Sequence, residues 1–218
     1  MRKFKRRSGN MDAEPDNMPE PKKKMSRQMI YGIFIIAIMS LSVIGYVSTD
    51  FLASEKYNGF PVKPLANGRW SVRINGNNIL FYSHPSQVEN IEDKGNAIGM
   101  IKDSGAVYFT SDPDDRLKDA IGAVEYDLMD MISKDQKNKI DMIYAFTKQN
   151  EFEKPVITCA NATSFIPVVR FKQGDTKISV SSNCIIVSVA SEYDFAKIRD
   201  RIIYGFYDVI KMNDTQIQ

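Results

Sequence analysis

Histidine is nearly absent: the chain has one, His84, so no pair of imidazoles can assemble a metal centre or a His-based relay. Its two cysteines, Cys159 and Cys184, do not form a Cys-x-x-Cys pair, which argues against a redox enzyme. No cysteine stands directly after the long apolar run, which excludes a bacterial-type lipoprotein anchor. No Gly-x-Ser-x-Gly elbow and no phosphate-cradling glycine-rich loop occurs, and no repeat or low-complexity tract appears beyond residue 47. The familiar acyl-transfer and nucleotide-binding motifs are therefore missing. One further absence organises the rest: from Met29 to Val47, 19 residues pass without a charge.

As a helix that run extends roughly 28 Å, close to the roughly 30 Å hydrocarbon core of a bilayer. Ser40 and Ser42 can bond back to the preceding turn, and Tyr31 and Tyr46 stand near the two ends, where amphipathic rings favour headgroups. The reading is a signal-anchor helix over 29–47. It exceeds the 7–15-residue core typical of a cleaved signal peptide, and Ser26-Arg27-Gln28 does not fit a pilin-type processing site. Residues 1–28 carry nine Lys/Arg against four acids, a net +5, while the part beyond the span is net −3. Basic enrichment beside one end places that end in the cytoplasm. The expectation is a single-pass protein of the cell membrane, with the N-terminus cytoplasmic and the C-terminal domain outside.

The tail, residues 1–28, has Pro15, Pro19, Pro21 and few apolar residues, so it is expected to be disordered. Its basic clusters suit anionic lipid, although setting the topology is role enough for them; a nucleic-acid partner is not expected.

Residues 48–66, with Gly59, Pro61 and Pro64, read as a stalk. An extracytoplasmic domain then spans 67–212, and residues 213–218 form a frayed end. Trp70, Val72 and Ile74 alternate with polar residues, and Asn75-Gly76 suits a type I′ turn. That turn pairs Val72 with Ile79 and Trp70 with Phe81. His84 reads as a loop residue after this hairpin. Ala106–Thr110 reads as a strand leading to a helix with Asp112 at the N-cap and Pro113 first inside. Leu117, Ile121, Val124, Leu128 and Met131 form its apolar stripe. Asp112, Asp114 and Asp115 could also ligate a divalent cation, but capping accounts for all three, and no metal or other cofactor is expected. Strands follow at 141–147, 155–160, 168–172, 177–181 and 184–190, with Phe171 expected opposite Ile178 across a hairpin. The last helix, 192–211, buries Phe195, Ile198, Ile202, Phe206 and Val209 and turns Lys197, Arg199, Asp200 and Arg201 outward. The fold class is α+β: one N-terminal transmembrane helix, then a mixed, hairpin-rich sheet with two amphipathic helices packed on it.

An even pair of cysteines on the oxidising side of a membrane reads as a disulfide, closing a loop of about 25 residues that is worth on the order of 3–4 kcal/mol. Asn161-Ala162-Thr163 and Asn213-Asp214-Thr215 fit the glycosylation sequon. Strand parity with Cys159 would turn Asn161 inward, leaving Asn213 as the accessible acceptor.

The runs Ile157–Thr163, Asn183–Ile186 and Asp200–Tyr204 resemble segments of uncharacterised archaeal single-pass membrane proteins that put a basic tail and one span before an external domain. The resemblance covers mainly residues 155–210. It implies an archaeal exported domain with its cysteines paired, and supplies no activity.

No catalytic set assembles from these residues. The leading expectation is a non-enzymatic, membrane-anchored protein whose external domain binds or scaffolds a protein partner in the cell envelope. The alternatives are an envelope hydrolase or transferase using carboxylates, or an accessory subunit of a membrane complex.

Overall fold

A computed structural model describes residues 26–52, 54–134 and 139–211. The chain divides into two compact units, Met1–Thr49 and Asp50–Gln218. Helix α1 runs from Arg27 to Leu52. Its described side chains, as far as Val43, are all exposed. The Ser40 and Ser42 hydroxyls donate to the carbonyls of Ile36 and Ile38, at 2.8 and 2.9 Å, so the two polar residues are satisfied within the helix. Among the described residues no helix is long and apolar enough to cross a membrane.

The second unit is a mixed α+β fold with two sheets. A four-stranded antiparallel meander comprises β1 (Glu55–Tyr57), β2 (Phe60–Pro64), β3 (Trp70–Ile74) and β4 (Asn77–Phe81). Asn75 and Gly76 have φ of 50° and 83°, the double positive φ of a type I′ turn. Val72 faces Ile79 and Trp70 faces Phe81, as expected. The meander begins inside the segment read as a stalk. Asn58-Gly59 repeats the same turn chemistry, with φ of 48° and 89°, and pairs Tyr57 with Phe60. Pro61 and Pro64 obscured this strand, since proline usually argues against a central position.

The larger sheet comprises β5 (Asp93–Lys94), β6 (Ala106–Ser111), β7 (Asp141–Phe146), β8 (Val168–Gln173), β9 (Lys177–Ser181) and β10 (Cys184–Val189). Its order is β5-β9-β10-β8-β6-β7. Strands β6 and β7 are parallel neighbours joined through helix α4 (Lys118–Ser133), a crossover unit. The expected Phe171–Ile178 hairpin does not exist. Strand β10 lies between β8 and β9, and both residues sit opposite Val187. The parity argument survives because the shared partner keeps both side chains on one face.

Three further expectations are corrected. Residues 155–160 make one bridge, Val156 to Phe146, and then a 3-10 turn at Cys159–Asn161, where the Asn161 side chain accepts from Thr158 N and closes the turn in place of a strand. Helix α4 starts at Lys118, not at Pro113. Asp112 and Asp115 instead accept from the backbone N–H of Asp114 and Leu117, both at 2.8 Å, closing local turns that compete with the helix. Helix α5 (Glu192–Phe206) stops short of residue 211 and buries Arg199, Asp200 and Arg201. These three were expected to face water. They are covered because the meander, together with the short helices α2 (Pro85–Val88) and α3 (Ala97–Lys102), supplies partners for α5 besides the larger sheet. Phe81 stacks on Tyr204 with ring centroids 3.9 Å apart. Val62, Val72 and Phe81 join Phe109, Phe171 and Val187 in one core with α4 and α5.

Candidate functional site

A cleft of about 670 Å³ opens where β6 and β7 end and α4 begins. Loops beyond the carboxyl ends of parallel strands are the usual place for a ligand in such a sheet. Ser111 and Phe146, the last residues of the two strands, meet Lys118, Asp119 and Gly122 from the first turns of α4. At the floor Gly122 faces the Tyr144 hydroxyl, 3.6 Å from where a Cβ would stand, an ordinary van der Waals distance.

The far wall is Phe152, stacked on Phe146 at 5.8 Å yet 60% exposed. Its loop is tied by Asn150, whose Oδ1 accepts from the N–H groups of Phe152 and Lys154 and whose Nδ2 donates to the Lys154 carbonyl. At the rim, Lys148 Nζ stands 2.9 Å from Asp112 and 2.7 Å from Asp114. Its hydrogen bond holds the Asp112 carboxyl below the usual range. An ammonium therefore sits between two of the acids weighed above as cation ligands. Among the described residues no three His, Cys, Asp or Glu side chains converge to hold a metal.

Behind this floor lies a residue missed in the sequence. Glu125 is completely buried, and burial pushes its carboxyl up to about 8, so it is a neutral acid at pH 7. The Tyr144 and Ser111 hydroxyls draw that value down in part, but neither carboxyl oxygen meets a partner in full hydrogen-bond geometry. The proximity is real and the alignment is poor. The signal was legible: Ile121, Glu125, Leu128 and Ile132 recur at helical spacing on the buried face.

A second buried carboxylate, Asp200, is fully partnered. Its Oδ2 accepts from the N–H groups of Tyr82 and Ser83 at 2.8 and 2.7 Å, and its Oδ1 accepts from Arg199 Nη1 at 2.8 Å. Arg199 also donates to the Leu80 carbonyl. Nothing in the outward pattern of Lys197 to Arg201 indicated this.

Cys159 and Cys184 are brought together as a disulfide with Cα atoms 5.2 Å apart. Asn161 does not point inward. It lies exposed on the 3-10 turn, where its Oδ1 accepts from Thr158 N at 2.8 Å. Asn213 and the basic tail before Ser26 lie outside the described residues. His84 caps α2, with Nδ1 accepting from Ser86 N. Its ring lies edge-on to Trp70, and Nε2 stands 2.7 Å from a Glu55 oxygen without hydrogen-bond alignment. This is a structural post joining the meander to α2. No protein-family model, curated protein or solved structure matches this chain.

Proposed function

We propose that this is a single-pass membrane protein, tail in the cytoplasm, whose external domain binds an envelope protein partner through the cleft at the ends of β6 and β7. The anchor reading draws on the uncharged Met29–Val47 run, which falls wholly within α1. Ile33, Phe34, Ile36, Met39 and Leu41 are among its exposed side chains. A disulfide in the second unit accords with an oxidising compartment.

The observation that carries the binding reading is the make-up of the cleft. Phe152 offers a bare ring beside Asp119 and Glu151, with Lys118 the one cation of the wall among the described residues. That surface suits a partner segment bearing a basic residue next to an apolar one. An envelope hydrolase or transferase using carboxylates is favoured by one observation, the raised Glu125; however, both of its oxygens are sealed from solvent, so it cannot touch a ligand entering the cleft.

The test is a photo-crosslinking residue placed at Phe152 of the full chain in host membranes, with Tyr193, 78% exposed on α5, as control. A discrete adduct at 152 that disappears when Asp119 and Glu151 become Lys is expected. Equal labelling at both positions would remove the cleft from consideration. Release of the chain by alkaline carbonate would remove the anchor.

A further inference from the structure

The short turn at Cys159–Asn161 is held at three points. Ahead of it, the Ile157 carbonyl accepts from Thr110 Oγ1 at 2.9 Å. Within it, Cys159 is bonded to Cys184, the first residue of β10. After it, Thr163 N donates to the Ile166 carbonyl and Ile166 N donates to Thr163 Oγ1, both at 3.0 Å. Between these ties the chain is exposed at Asn161, Thr163, Ser164 and Phe165.

Asn161-Ala162-Thr163 is a glycosylation sequon with no proline at its middle position. The fold treats the two ends of the acceptor amide differently. Oδ1 accepts from Thr158 N at 2.8 Å and from Thr158 Oγ1 at 3.3 Å, so it is turned to the chain. Nδ2, the atom that would carry a glycan, has no hydrogen-bond partner among the described residues and belongs to an exposed side chain. A substituent on it displaces no bond of the fold. The same local bonds act against recognition of the folded loop. Thr163 Oγ1 is taken up in one turn and Asn161 Oδ1 in another, so a transferase that must grasp both groups meets them free only on the extended chain.

We propose that Asn161 is N-glycosylated, receiving an oligosaccharide from a polyprenyl-phosphate-type lipid donor before Cys159 pairs with Cys184. In the transfer, Nδ2 bonds to the anomeric carbon of the sugar. The bond from that carbon to the donor's phosphate oxygen breaks, and the lipid phosphate leaves with the electron pair. One amide proton passes to a base of the transferase, and nothing is oxidised or reduced. Cys184 stands 23 positions after Asn161, so the sequon emerges while Cys159 still lacks its partner. The site rests on the external placement proposed above, because a used sequon belongs to a surface loop of an exported chain.

The experiment follows one peptide. The full chain is isolated from the membranes of its native host, reduced and cut with trypsin, and residues 149–170 are weighed; Lys154 precedes Pro155 and resists cleavage. A mass increased by a glycan is expected in wild type, retained in Thr163→Ser and lost in Thr163→Val. Occupancy is read on the peptide, so the result does not depend on whether a variant folds. Cys184→Ser leaves Cys159 unpaired and should be occupied at least as fully as wild type; a loss of occupancy there would put the transfer after folding and overturn the order. Asp12→Thr adds a second sequon at Asn10 in the tail and reports the orientation. A glycan at Asn10 with a bare Asn161 overturns the external placement and the site with it. A bare Asn161 with Asn10 also bare overturns the glycan site and leaves the external placement standing, as does an added mass that persists in Thr163→Val.

Discussion

Glu125 on α4 and Asp200 on α5 are both fully buried carboxyls on helices of one core, yet they have opposite states. Burial raises both. Asp200 reaches only about 6, because Arg199 and two backbone N–H groups favour its ionised form. Glu125 reaches about 8, with only the imperfectly placed Tyr144 and Ser111 hydroxyls to draw it back. At pH 7 one is a charge held in a net of hydrogen bonds and the other is a neutral acid. Equal burial therefore fixes the direction of a shift, and the partner set decides which side of neutrality the group occupies.

The comparison breaks most visibly at Asp200. Asp200→Ala orphans the N–H groups of Tyr82 and Ser83 and leaves Arg199 buried beside no close carboxylate but the 3.6 Å contact to Asp127. Urea unfolding at pH 7 should report a loss of about 3–5 kcal/mol; a loss below about 1 kcal/mol would mean that the network contributes little.

Glu125→Gln probes the other half. A carboxyl whose pKa is raised on folding adds stability that is whole below about 4.5 and disappears as pH climbs through about 8. Wild type should therefore weaken over that window by on the order of 5 kcal/mol more than the Gln variant. The variant's remaining slope below about pH 6 comes from Asp200, and the variant surpasses wild type at pH 9. Parallel pH profiles for the two proteins would show Glu125 to be ionised throughout.

The smallest effect is Tyr144→Phe. Removing a hydroxyl that draws the Glu125 value down should move the alkaline midpoint upward, with a stability change at pH 6 of about 1 kcal/mol or less. A midpoint moving downward would mean that the phenol serves mainly as an obstacle to water.

What could be read from the sequence was local. Asn75-Gly76 placed the β3–β4 register because turn chemistry and side-chain parity act over a few residues. The α4 stripe was legible for a similar reason, and the cysteine pair because only two cysteines exist to be joined. Strand order was not: that β10 enters between β8 and β9 depends on which edges are free in the assembled sheet, which no short window encodes. The error at α5 was one of packing. Arg199 and Asp200 are covered by Leu80, Tyr82 and Ser83 and Arg201 by Ile91, and no local pattern shows that these residues fold over the helix. The candidate cleft was invisible for the same reason, since β7, α4 and the Asn150 loop meet only in three dimensions. Asp112 and Asp115 misled because the residue types that cap helices also close the turns that delay them.

The place of β10 has a consequence for how this chain becomes a sheet. Residues emerging N-terminus first complete β6, α4 and β7 while the inner edge of β6 waits unpaired for β8, some 57 positions later. Strand β8 in turn has no second neighbour until β10 arrives, because β9, made in between, does not touch it. Each waiting edge is a row of open backbone groups able to recruit another chain. The bond between Cys159 and Cys184 cannot close before the first residue of β10 has appeared. Its closure marks the moment when the last gap in the sheet is ready to fill, so a chain interrupted before Cys184 carries both an open edge and an unpaired thiol.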